Sequence, residues 1–107
     1  MQSEETFRHA DRRSAESSQG FSVRLATTWR LEYREGDRLM LFSVEPTGSG
    51  HAAQIILYGP DTRPTQWAPP HDSEPVDAAR QHTIVANIVR ALQSLKLTVN
   101  VDPSAYR

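Results

Sequence analysis

The side chains best suited to bond-making chemistry lie in one stretch, QWAPPHDSEPVDAARQHTIVANI, Gln66 to Ile88. It holds His71, Asp72 and Glu74 close together and His82 further on, and His51 lies in the earlier segment PTGSGH. An imidazole titrates near neutral pH, and a carboxylate beside it can orient it or accept its proton. Such a set could run acid-base hydrolysis or hold a divalent cation. The spacing argues against both. The chain has neither an i, i+4 histidine pair nor a compact His-x-x-x-His segment, and carboxylates in a proline-rich loop ordinarily face water or favour a helix N-terminus. Gly48-Ser49-Gly50 lacks the flanks of a nucleophile elbow and is followed by no Lys-Ser or Lys-Thr, so it reads as a hairpin turn. The expectation is a protein with no catalytic residue, no metal and no cofactor.

The elements that carry these groups follow from periodicity. Phe21, Val23 and Leu25 alternate with polar residues, as do Trp29, Leu31 and Tyr33, which is the pattern of strands buried on one face. Gly36 and Asp37 supply a tight reversal. LMLFSV is apolar at nearly every position and reads as a central strand covered on both faces for part of its length. AQIILY is the next strand. Pro69, Pro70 and Pro75 then remove backbone donors and make 68–75 a stiff crossover. Asp77 is placed to cap a helix in which Ile84, Val85, Ile88, Val89, Leu92 and Leu95 form the apolar stripe, with Arg80, Asn87, Arg90 and Ser94 opposite and Lys96 at the negative pole. LTVNV closes the pattern as a last strand.

The predicted architecture is therefore α+β: an antiparallel β-meander of about four strands, one long amphipathic C-terminal helix packed on the sheet, and a final short strand. Residues 1–19 hold one large apolar side chain after the initiator, Phe7, among mixed charges. They read as a flexible tail that could be removed at little cost in stability. The single domain then spans 20–102, with 103–107 a short polar tail. Trp67 reads as a core residue plugging the end of the sheet-helix layer, the alternative being an exposed partner anchor.

Composition narrows the function classes. Twelve Lys and Arg against 13 Asp and Glu, a net charge of −1, provide no global field for nucleic acid or an anionic membrane surface. The absence of cysteine removes disulfides and thiolate chemistry. No apolar run approaches the roughly 20 residues of a membrane span, so a soluble, cytoplasmic protein is expected.

The succession WRLEYREGDR, LMLFSVEP, the turn Trp67-x-Pro69-Pro70 with HDSEP, and IVANIVRALQSLKLTVNV resembles a group of small α+β immunity proteins of bacterial polymorphic and contact-dependent toxin systems. The likeness covers about residues 21–101. It implies a stoichiometric, non-catalytic inhibitor that binds one cognate toxin protein. The surfaces a sheet-bound helix leaves free would carry the contacts: the strand face with Arg30, Glu32, Arg34 and Arg38, and the loop with His71, Asp72 and Glu74. Trp67, Pro69, Pro70 and Asp77 would be structural. An adaptor or secretion-chaperone-like interaction domain, pairing through an edge strand, is the alternative. A small hydrolase using His71, Asp72 and His82 comes third.

Overall fold

The structure, a computed structural model, describes residues 4–47, 54–61 and 65–106. His51 and the Gly48-Ser49-Gly50 turn lie outside the described residues. The described elements run β1 (Phe7–Arg8), β2 (Ser14–Ser17), β3 (Phe21–Leu25), β4 (Arg30–Glu35), β5 (Arg38–Thr47), β6 (Gln54–Pro60), α1 (Ala78–Ser94), β7 (Thr98–Val101) and a 3₁₀ turn, Pro103–Tyr106. All seven strands lie in chain order in one sheet. Each is antiparallel to the next except β6 and β7, which run parallel because α1 carries the chain back between them.

One helix packs on both ends of this strand order, on β2 and β3 and again on β7. In a flat sheet β2 and β7 would stand about 24 Å apart at the usual strand spacing, wider than a helix with its side chains. The sheet must curl around α1 to meet it. Its inner face supplies Phe21, Val23, Leu31, Tyr33, Met40, Phe42, Val44, Ile55 and Leu57, packed against Ile84, Val85, Ile88, Ala91 and Leu92 of the helix.

The α+β class and the helix-on-sheet packing agree with the periodicity, but the strand number rises from about five, the four of the meander and the final strand, to seven. Both added strands come from 1–19, and the expectation of a flexible tail is corrected. Ala15, in β2, is only 1% exposed and faces Val23 across the ladder. Phe7 meets Phe21 edge-on at 6.2 Å. Glu5 accepts a 2.7 Å bond from Arg90 of the helix. The inward positions of β2 are Ala and Ser, too small to leave a hydrophobic pattern, and what holds this hairpin is long-range.

β5 is likewise covered on one side only. Met40, Phe42 and Val44 are buried beneath the helix layer, whereas Leu39 and Leu41 lie half-buried on the outer face, since the single helix covers the other side of the sheet. Gly36 has φ +61° at the first position of the two-residue loop joining Glu35 to Arg38, a conformation that favours glycine there.

The helix begins where Asp77 Oδ1 accepts the Arg80 amide at 2.7 Å. At its other end Lys96 takes the left-handed slot, φ +67°, with Lys96 N–H donating to Gln93 O and Leu97 N–H to Leu92 O, so it sits past the last turn rather than within it. Asn87, assigned by spacing to the solvent face, is instead 9% exposed and points at the sheet.

Residues 103–106 are not a free tail. Ala105 is fully buried, its carbonyl accepts from Gln81 Nε2 at 2.6 Å, and Tyr106 packs against His82 with ring centroids 4.6 Å apart. The turn rests on Gly59, where a Cβ would lie 2.6 Å from the backbone oxygen of Ser104. Gly59→Ala is therefore expected to cost about 1–3 kcal/mol by lifting the turn off β6. Urea unfolding checks this, and a wild-type midpoint would show that the turn is not held there.

Candidate functional site

Two surfaces gather the polar groups, and they lie on opposite sides of the sheet. The first is an open cleft of about 500 Å³ lined by Glu35, Arg38, Trp67, Glu74, Pro75, Asp77 and Arg80. Its walls are set by backbone bonds. Ala68 N–H donates to Leu39 O at 2.7 Å, which ties the crossover to β5 and drives Trp67, 3% exposed, against Tyr33. The cis Pro69-Pro70 bond turns the chain, and successive turns, His71 N–H to Ala68 O at 3.1 Å and Glu74 N–H to His71 O at 3.0 Å, bring two side chains of the crossover together.

Those side chains join the β4–β5 hairpin. Arg38 Nε–H donates to Glu74 Oε1 at 2.7 Å, His71 Nδ1 meets Glu74 Oε2 at 2.7 Å, and His71 Nε2 lies 3.3 Å from Asp37. The Arg38 hydrogen bond holds the Glu74 carboxyl below its usual pKa. Asp72 stands exposed beside the cluster.

Deeper in the cleft runs a second chain of bonds. Arg80 and the Tyr33 hydroxyl both donate to Glu35, and Asn87 Nδ2–H donates to the Tyr33 oxygen at 2.9 Å. Burial, reinforced by the bond to Glu35, pushes the Tyr33 phenol well above its ordinary pKa. Arg90 donates to Asn87 Oδ1 at 2.6 Å and to Glu5, which also accepts from Ser17 at 2.6 Å. The Arg90 bond lowers the Glu5 pKa. One polar line thus crosses the sheet-helix layer from β2 to the cleft.

The second surface is the outer sheet face, which no helix among the described residues covers. Arg30, Glu32 and Arg34 project there from β4. Arg30 pairs with Asp61 at 3.2 Å, and Asp61 also accepts from Ser43 at 2.8 Å. Glu32 lies in a shallow groove with Arg8, Glu16, Arg24 and Arg34. Its Oε1 is buried and has no hydrogen bond among the described residues, the Arg34 guanidinium standing 3.7 Å away.

The structure thus divides the seven residues grouped by the sequence. Arg30, Glu32 and Arg34 share the outer face. Arg38 does not: it lies one residue out of phase with Leu39 and Leu41, turns to the helix side, and joins His71 and Glu74 in the cleft. No hydrogen bond or ion pair among the described residues links His82 to His71 or Asp72; His82 faces Tyr106. No group of three or more His, Asp or Glu among the described residues is arranged to hold a metal ion.

Periodicity alone missed Glu35, Asp37, Tyr33, Arg80 and Asn87. One signal was available: a tyrosine on an inward strand position needs a hydroxyl partner, and an asparagine adjoining an apolar helix stripe can supply it. Compared with protein-family models, with curated proteins and with solved structures, the chain matches none. No helix among the described residues is long and apolar enough to cross a membrane.

Proposed function

We propose that this chain is a binder of the immunity-protein kind, a stoichiometric, non-catalytic inhibitor that holds one cognate bacterial toxin domain through the polar surfaces of its sheet and crossover. The observation that carries the reading is Glu32. One of its carboxylate oxygens is buried with no hydrogen bond among the described residues and only the Arg34 guanidinium near it, 3.7 Å away, and native proteins keep few such groups. Here it lies among arginines on an uncovered sheet face, where a donor from a bound protein would satisfy it. The cleft groups support the same reading. Arg38, Glu74, His71 and Asp37 engage one another, as do Arg80, Glu35 and Tyr33, which presents a fixed mosaic of charge to a complementary surface.

An immunity gene adjoins the gene of its toxin, so the product of the adjoining gene is the partner to test by titration calorimetry. Arg34→Glu is expected to weaken that complex by about 1–3 kcal/mol, and because it also takes the guanidinium from beside Glu32 its melting temperature should fall slightly while the fold is kept. Asp72→Arg tests the crossover loop in the same way. Equal affinity in both variants would move the interface off these surfaces. Failure of the two proteins to associate would remove the immunity reading, and a substrate turnover abolished by His82→Ala would replace it with an enzyme.

A further inference from the structure

The end of the sheet remote from the cleft carries a feature that the toxin-binding reading does not use. Trp29 is 61% exposed at the tip of the β3–β4 hairpin, the most exposed large hydrophobic side chain among the described residues. Its backbone is nonetheless fixed. Val44 N–H donates to Trp29 O at 3.0 Å, Trp29 N–H donates to Thr27 Oγ1 at 3.2 Å, and Ala26 N–H closes the loop on Arg30 O at 3.0 Å. An indole held outward on a rigid tip loses little entropy on binding, and tryptophan is the residue type most enriched at interface hot spots.

Beside it opens a hollow of about 180 Å³, lined by Arg13, Leu25, Thr27, Thr28, Pro46 and Ile55. Three apolar residues, two threonines and Arg13 line a seat of a size for an aromatic ring, and an arginine there offers a cation to the negative face of that ring. Arg13 has no ion pair among the described residues to compete for that cation. Trp29 does not line the hollow, although its neighbours Thr27 and Thr28 do, so this chain presents a knob and a hole side by side without filling one with the other. A patch of this kind is self-complementary: a twofold axis between two copies seats each knob in the other's hole. A net charge of −1 sets little repulsion against such a pairing.

We propose that this end of the sheet is a self-association surface, where Trp29 of each copy enters the hollow between Leu25, Pro46, Ile55 and Arg13 of a second copy. The pairing leaves the cleft free, because Trp29 and Glu35 flank opposite ends of β4. It does not depend on which protein the cleft and the outer face bind.

Sedimentation equilibrium of the full chain from micromolar to millimolar concentration tests this. A monomer–dimer equilibrium is expected, with Trp29 emission moving to shorter wavelength as dimer forms while the buried Trp67 contributes a constant signal. Trp29→Ala removes the knob, and Thr28→Arg blocks the hole. Both change exposed side chains, so the unfolding midpoint should hold, and each should raise the dimer dissociation constant about ten-fold or more. Mixing the two variants restores one knob-in-hole contact, so the mixed dimer should form more tightly than either variant alone. A wild-type protein that stays monomeric throughout would overturn the proposal. So would a dimer indifferent to both substitutions, or a mixture with no preference for the mixed pair.

Discussion

A chain lacking residues 1–19 should fail to fold stably, losing more than about 3 kcal/mol, a large share of the stability of a small domain. Four contacts go at once. β2 leaves the β3 edge, taking the Ala15 side chain from over Val23. Phe7 leaves Phe21, which then opens to water. Glu5 leaves Arg90, so the charge that donates to Asn87 loses its anion, and the bond between His9 and Ser94 near the helix end is lost at the same time. The bared β3 edge would also offer unpaired backbone groups beside Phe21 and Val23, a template for aggregation. Urea unfolding measures the loss and light scattering the association. A truncated protein with the wild-type midpoint would show that the hairpin is an ornament on a self-sufficient domain.

Trp67→Ala should cost about 3–5 kcal/mol, the usual range for deleting a buried aromatic ring. Trp67 is 3% exposed, stacks on Tyr33 with centroids 6.3 Å apart, and continues an aromatic row through Phe21 to Phe7. The Arg80 guanidinium lies 6.0 Å from its ring on the cleft side. Removing the indole would leave a cavity beneath the Tyr33–Glu35–Arg80 bonds and loosen the cleft wall together with the core. Trp67→Phe, which keeps a ring against Tyr33, should cost less than half as much. If Trp67→Ala melts as the wild type does, the ring is not a core support, and any loss of partner binding would then mark it as a contact residue.

What the sequence determined by itself is local. Period-two alternation placed β3 and β4, because a pleat sends successive side chains to opposite faces whatever lies beyond, whereas the apolar run LMLFSV placed β5 without telling its two faces apart. The 3.6-residue recurrence from Ile84 to Leu92 placed α1, and Asp77 marked its start, because a helix cap acts within one turn. Tertiary structure decided the rest, by contacts between residues far apart in the chain. Small inward residues such as Ala15 and Ser17 leave no hydrophobic period, so β2 exists only because β3 pairs with it and the helix reaches it. Asn87 reads as a solvent residue until Tyr33, 54 positions earlier, offers its hydroxyl. Arg38 reads as one of a row with Arg30 and Arg34 until the reversal at Gly36 starts a new strand with its own phase and turns it to Glu74. Trp29 fits the alternation of β4 yet lies one residue before the strand, where the hairpin loop sets its direction, and so stands in solvent. Side-chain period is a property of one strand, whereas the side a charge finally occupies depends on how strands join and where the sheet curls.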